Sequence, residues 1–308
     1  MMTPASTPFV SVIVPVFNGA DRLRRCLEAL EQQTYPQSQY EVIVVDNGSD
    51  ATENIAGVVE PFGQAILAVE SQPGSYAARN TGIKLAQGTV LAFTDADCLP
   101  AADWLANGVR HLVRVPNCGL VAGRIEVFVR DPAQITPVEL FEQITAFPQQ
   151  KLLDTKHGGA TANLFTWKRV MEQVGLFDAQ MKSNGDLEWG QRVFRQGYAQ
   201  CYADDAWVAH PARHSWAELY RRTRRLTGGS YDWQRKAIAS PVQKQATQVM
   251  QLVQQLVPPL MFVWNAFLDP RLTGLEQKIK VSIAMVFVRY VGAWEMLRLM
   301  LGGVSARD

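Results

Sequence analysis

The first hundred residues alternate short β-rich runs with helical patterns. Apolar, largely β-branched runs fall at residues 10–14, 41–45, 66–69 and 90–93, and stretches with helical character fall between them at 23–30, 55–59 and 76–86. Continuous apolar runs are strands buried on both faces, and helices between them make βαβ units and a parallel sheet. The expected body is therefore α/β, a mixed, mainly parallel sheet with helices on both faces.

Beyond residue 212 the texture turns helical. Gln245, Gln248, Gln251 and Gln254 recur every third position among apolar residues, a single polar stripe on an otherwise apolar helix. Pro258 and Pro259 end that helix, and 260–268 follows as a second short apolar run. The segment 279–301 is long enough for a bilayer at about 20 residues per span. It also contains Lys280, Arg289, Glu295 and Arg298, and a mid-span charge costs about 2.5–3.5 kcal/mol. Lying in the membrane interface or packing on a partner is expected, with an ordinary buried helical subdomain as the alternative. Two domains follow: residues 1–212 as the α/β body, and 213–308 as a basic, apolar helical tail for membrane association or oligomerisation.

Of the 308 residues, 47% are hydrophobic and 19% charged, which excludes disorder, collagen and a disulfide-stapled miniprotein. The total of 30 basic against 29 acidic residues gives no reason to expect a nucleic-acid partner. It also hides a separation. Before Arg213 there are 16 basic and 23 acidic residues; from Arg213 onward there are 14 and 6. A basic segment points to an anionic partner, with a solvated helical face as the alternative. Arg221, Arg222, Arg224 and Arg225 suit phosphate groups or anionic lipid headgroups, with a solvated cluster as the alternative. Four cysteines without CxxC spacing suggest a reducing compartment, and a start without a basic n-region argues against a signal peptide. The expected location is the cytoplasmic face of the membrane, peripheral or monotopic.

The most informative stretch is LAFTDADC, where an apolar strand ends in Asp95 and Asp97. Alternate residues at a strand end project to one side, so both carboxylates can converge on one hard cation. Ligands of open α/β sheets bind at the carboxyl ends of strands, where this pair falls. A solvated turn is the competing reading of DxD alone. VSVIVPVFN and VIVVDNGSD place Phe17 and Asp46 at the same rim, an aromatic face and a carboxylate suited to stack and hydrogen-bond a base. An Asx turn opening a helix is the alternative for Asp46.

With those residues in place, the chain resembles a family 2 glycosyltransferase of the GT-A, Rossmann-like fold. The resemblance is carried by VSVIVPVFNGADRLRRCLEALEQQTYP, EVIVVDNGSDAT, SYAARNTGIKLAQG, LAFTDADCLPAADWL, GGATANLFTW and SNGDLEWGQRVFRQGY, in family order over about the first 200 residues. It implies an inverting transfer from a nucleotide-diphosphate sugar, UDP-linked in preference to GDP-linked, aided by Mg2+ or Mn2+. The implied acceptor is a lipid-linked or saccharide precursor of polysaccharide biosynthesis. By the same resemblance Pro15, Phe17 and Asp46 match nucleoside-binding residues, and Arg79 the basic residue beside the diphosphate. Asp95 matches the ribose-side acid of DxD and Asp97 its main metal ligand. His210, placed after the body's last strand, matches a further ligand. Gly158, Gly159 and Asn163 match the loop beneath the donor sugar. Trp189 reads first as a buried helix aromatic, with a place lining the acceptor cleft as the alternative.

Asp186 matches the general base, with helix N-capping as its structural alternative. Members usually carry Glu-Asp there; this chain has Gly185-Asp186. Where processive relatives carry QxxRW this chain has RRTRRL, which argues against polymer synthesis. Two other readings stay open: a sugar-phosphate nucleotidyltransferase, whose Gly-rich, Arg-containing loop is missing after the first strand, and a catalytically degenerate nucleotide-sugar-binding membrane protein.

Overall fold

The structure, a computed structural model, describes residues 7–307. The first six residues, on which the signal-peptide reading partly rests, lie outside the described residues. In chain order the elements are β1 (Val10–Val16), α1 (Ala20–Glu31), β2 (Tyr40–Asp46), α2 (Ile55–Val59), β3 (Ala65–Val69), α3 (Ser75–Leu85), β4 (Val90–Thr94), β5 (Leu99–Pro100), α4 (Trp104–Arg114) and β6 (Cys118–Phe128). There follow α5 (Pro137–Thr145), α6 (Gln149–Lys156), β7 (Asn163–Trp167), α7 (Lys168–Val174), α8 (Gly185–Arg195), β8 (Ala199–Pro211), α9 (Trp216–Ala237), α10 (Pro241–Leu256), α11 (Leu260–Leu268) and α12 (Gly274–Met300).

The eight strands form one sheet in the order β3-β2-β1-β4-β7-β6-β8-β5. The pairs β3·β2, β2·β1 and β1·β4 are parallel, as the βαβ pattern requires. Beyond β4 the pattern changes: β4·β7, β6·β7 and β5·β8 are antiparallel. The sheet is therefore mixed, and the expectation of a mainly parallel one holds only for its first four strands. β1 and β4 are buried along their lengths because helices cover them. Leu23, Cys26, Leu27 and Leu30 put one buried face of α1 into that core, the i, i+3, i+4, i+7 spacing of an amphipathic helix.

The chain forms two compact units, one of Met1–Glu126, Phe147–Gln180 and Gly185–His210, the other of Val127–Ala146, Met181–Asn184 and Pro211–Asp308. The second unit has its own apolar core, in which Val138 and Phe141 of α5 meet Leu219 of α9 and Val281 and Ala284 of α12. Buried carboxylates organise the rest. Glu142 takes Arg213 at 2.8 Å and lies 3.5 Å from Arg222, while Glu295 takes Arg224 and Arg298 at 2.9 and 2.5 Å. Arg222 and Arg224 of RRTRRL are thus committed to internal pairs. Burial holds the Arg222 guanidinium down to about 10, with Glu142 opposing that shift. A capping box starts α9, Ser215 accepting the Glu218 N–H and Glu218 accepting the Ser215 N–H. Among the described residues no helix is long and apolar enough to cross a membrane.

Candidate active site

β4 delivers Asp95 and Asp97 at its carboxyl end, and a second strand pairing completes the cluster. β5 runs antiparallel to β8 with Leu99 opposite Ala209, which brings His210 to Asp97 from more than a hundred residues away. His210 Nε2 lies 3.6 Å from Asp97 Oδ1. His210 belongs to β8 itself; the expectation that it follows the last strand is corrected, because β5 gives that segment a partner. Phe147, with a left-handed φ of +50°, packs against the His210 ring, the two planes tilted by 48° and the centroids 4.6 Å apart. A bulky residue in that backbone region is uncommon and costs energy.

Asp97, Cys98 and His210 present ligand atoms that all lie within 4.8 Å of one another. A separation of 3.6 Å is too long for a hydrogen bond, yet suits two ligands each about 2.0–2.2 Å from a shared ion. The donor set therefore fits a divalent cation. Cys98 is the least suited member: burial first, then the Asp95 and Asp97 charges, push its thiol up, and it donates to the Ala162 carbonyl at 3.8 Å. A protonated thiol is a poor ligand for a hard ion, whereas a carboxylate suits Mg2+ or Mn2+ and imidazole suits the latter. Asp95 forms an ion pair with the buried Arg79. Arg79 Nε and Thr94 Oγ1, both buried, have no hydrogen-bond partner among the described residues. Orphaned buried polar atoms are uncommon and mark this corner as built for an additional polar group.

Asp186 sits at the start of α8, where its Oδ1 accepts the Leu187 N–H at 3.0 Å and the Tyr76 hydroxyl at 3.1 Å. Its Oδ2 accepts the Thr161 N–H at 3.2 Å. Asp186 is thus a first-turn residue of α8 and not its N-cap, with its carboxylate fixed by three hydrogen bonds. Burial pushes the Asp186 carboxyl above the ordinary aspartate range; the Arg79 charge and these hydrogen bonds pull the other way. Tyr76 stays protonated, its hydroxyl pushed up by burial and by the Asp186 charge. The same oxygen accepts the Gly185 N–H at 2.9 Å. That packing accounts for Gly185: a Cβ there would stand 2.8 Å from the Tyr76 ring, so the glutamate usual in the family has no room. Arg79 lies 5.8 Å from the Tyr76 ring centroid, which links Asp186, Tyr76, Arg79 and Asp95 in one run of contacts.

Sequence reasoning missed Tyr76, although it lies in the SYAARN segment beside Arg79. Tyr76→Phe is expected to lower kcat/KM about tenfold near neutral pH, a loss typical of one hydrogen bond to a charged group. With Asp186 as the general base proposed below, it should also move the acid limb of the pH profile upward, since the hydroxyl holds the carboxyl down. A pH–rate profile with an unmoved acid limb would remove Tyr76 from that role.

The rim expected to receive a nucleotide is assembled as the register requires. Val16 lies opposite Asp46, placing Phe17, 61% exposed, and Asp46 at one edge with Pro15 one step inside β1. Asp46 Oδ1 accepts the Ser49 N–H, three positions on, at 3.0 Å, so a local turn contact and a rim position coexist. Three other residues are placed inside the protein. The Asn163 amide is spent within the sheet, donating to Arg124 and Ala206 carbonyls at 2.8 Å each and accepting from Trp104 Nε1 at 2.9 Å. Gly159 makes room for Ala122, whose Cβ would lie 2.8 Å from an added methyl. Trp189 is fully buried against Phe177 and donates to the Gly175 carbonyl, so it does not line a cleft.

A mixed sheet with carboxylates at the end of β4 and a held carboxylate at the start of α8 defines the GT-A-like class of α/β fold. The chain belongs to glycosyl transferase family 2, whose sequence profile matches residues 11–175. It is a glycosyltransferase, and membership decides for sugar transfer over nucleotidyl transfer. The chain is 40% identical over 231 residues to the glycosyltransferase AglE of Haloferax volcanii, covering 73% of this chain and 74% of that one. It is 29% identical over 209 residues to the pre-mycofactocin glycosyltransferase of Mycobacterium tuberculosis, spanning 66% of this chain but 43% of that protein. Among solved structures, the mannosyltransferase PcManGT from Pyrobaculum calidifontis, in complex with GDP-Man and Mn2+, superposes with a TM-score of 0.62 at 20% identity, over 95% of this chain and 88% of its own. GalNAc-T7 with UDP, GalNAc and Mn2+ gives 0.54 at 18% identity, over 73% and 48%.

Proposed function

We propose that this chain moves a sugar from a nucleoside-diphosphate donor, UDP-linked in preference to GDP-linked, to a lipid-linked or saccharide acceptor, with inversion at the anomeric carbon. The observation that carries the reading is the run Asp186–Tyr76–Arg79–Asp95, which ties a held carboxylate to the DxD corner. Asp186 takes the proton of the acceptor hydroxyl as that oxygen bonds to the anomeric carbon, and the electron pair of the breaking bond leaves with the nucleoside diphosphate. Its raised pKa makes it a better proton acceptor than an exposed aspartate. Asp97 and His210, with Asp95 beside them, are the groups that would hold Mg2+ or Mn2+, whose positive charge offsets the charge building on the departing diphosphate. Phe17 and Asp46 receive the base, and Arg79 keeps Asp95 in position. Both solved relatives hold a nucleotide with Mn2+, in support of this donor class.

A thermal-shift screen of UDP- and GDP-sugars with Mn2+ or Mg2+ tests the reading. A ligand at about 100 times its Kd adds about 2.7 kcal/mol of stability, so one nucleotide sugar is expected to raise Tm, and only when metal is present. A full screen without any such rise would overturn it.

A further inference from the structure

The second unit exposes apolar side chains in a pattern that the transfer chemistry does not use. In α11 only Ala266 is buried. Leu260, Met261, Trp264, Phe267 and Leu268 are all exposed, Leu260 at 74% and Trp264 at 64%. Their spacing of one, three, three and one places them on one face of the helix. Val253, Leu256 and Val257 at the end of α10 lead into the same stripe. α12 repeats the pattern over most of its 27 residues: Leu275, Ile279, Ile283, Val286, Tyr290 and Trp294 are exposed at steps of three and four, while Val281, Ala284, Gly292 and Glu295 are buried. Two side chains lace the stripes together. Arg289, between Val286 and Tyr290, donates to the Gln254 and Val257 carbonyls, and Lys278, beside Ile279, donates to the Phe267 carbonyl. Apolar surface this continuous on a soluble monomer is rare and marks an interaction face.

We infer that this face, formed by α10, α11 and α12, docks the protein on the surface of a bilayer containing anionic lipid. Charge selects that occupant. The unit carries 16 basic against 9 acidic residues, an excess that remains after the buried Glu142 and Glu295 are set against their four arginines. Lys244 borders the apolar stripe of α10, a position from which a long side chain can reach headgroups while its stem lies on apolar surface; Lys280, beside Ile279, is paired with Glu276 at 2.6 Å. Trp264, Tyr290 and Trp294 are the amphipathic aromatics favoured at a membrane boundary. A second copy is the poorer occupant, because two identical basic faces repel and interface cores are depleted of lysine. The helices lie flat: α11 is about 14 Å long, and α12 carries charge along its length. This inference stands on the second unit's surface, independently of the donor chemistry.

The full-length protein should co-sediment with vesicles of phosphatidylcholine mixed with phosphatidylglycerol, more weakly with pure phosphatidylcholine, and less as salt is added. The triple variant Leu260→Ser, Trp264→Ser, Leu268→Ser should lose about tenfold or more of that binding with its Tm unchanged. Ile283→Ser with Tyr290→Ser on α12 provides an independent pair should the first variant fold poorly. Equal sedimentation of wild type and a folded variant would overturn the inference. So would a dimer in analytical ultracentrifugation that the same substitutions dissolve while vesicle binding stays absent, since that result gives the face to a second copy.

Discussion

Asp186→Asn is expected to lower turnover about 10²–10⁴-fold, the range for loss of a general base, while leaving nucleotide-sugar affinity nearly unchanged. The amide keeps the shape of the carboxylate, and its oxygen still accepts the Leu187 N–H and the Tyr76 hydroxyl. What is lost is the ability to take a proton. Steady-state kinetics and titration calorimetry on the same preparation separate the two effects, and near-normal turnover would sink the assignment. Stability provides a second readout. Because the Asp186 carboxyl titrates above its unfolded value, its contribution is fully present below the ordinary aspartate range and is lost as pH rises through the folded pKa. The Asn variant lacks that dependence. Its Tm should therefore fall less than wild type's as pH is raised across the acidic range just above the ordinary aspartate value. The gain at neutral pH is partly offset where the new amide group faces the Thr161 N–H, two donors in opposition.

Asp97→Ala should remove metal-supported donor binding. Outer-sphere partners of metal sites are commonly worth 10–100-fold in affinity, so a direct ligand is expected to cost more than about 100-fold. Asp97 is the carboxylate of the cluster that faces His210, whereas Asp95 is already engaged by Arg79. Calorimetry with and without Mn2+ is the decisive measurement: the variant should bind nucleotide sugar equally in both conditions, at the wild type's metal-free level. Unchanged affinity in the presence of metal would remove Asp97 as a ligand. Cys98→Ala provides the contrast, since a buried thiol kept protonated contributes no charge to the site.

Much of the fold was legible because burial on a sheet leaves a local signature. The runs at 10–14, 41–45 and 90–93 became β1, β2 and β4 with at most two residues added at either end, and Pro258 and Pro259 separate α10 from α11 as expected. The antiparallel half of the sheet was not legible. Strand direction has no periodicity, and β5 is two residues long, too short to stand out from a turn. The RRTRRL cluster misled in a similar way. Guanidinium groups at Arg222 and Arg224 read as phosphate ligands, but Glu142 and Glu295, 80 and 71 positions away in the chain, draw them inward. Asn163 shows the same limit, for a polar residue four positions after Gly159 looks like part of a loop until three hydrogen bonds place it inside the sheet.

The residues alone determined which groups stand at strand ends. An apolar run that must be buried forces its first polar residues to the rim, which put Asp95, Asp97 and Asp46 where ligands of α/β sheets bind. Tertiary structure decided which of those groups meet. The β5·β8 pairing brings His210 to Asp97, and the packing of α3 and α8 brings Tyr76 to Asp186, 110 positions apart. Such meetings depend on long-range pairing whose loop-closure cost is repaid only when the whole sheet forms, so no local pattern announces them. The absence of a side chain at Gly185 acquires its reason in the same way, from a tyrosine ring that reaches it only in the folded chain.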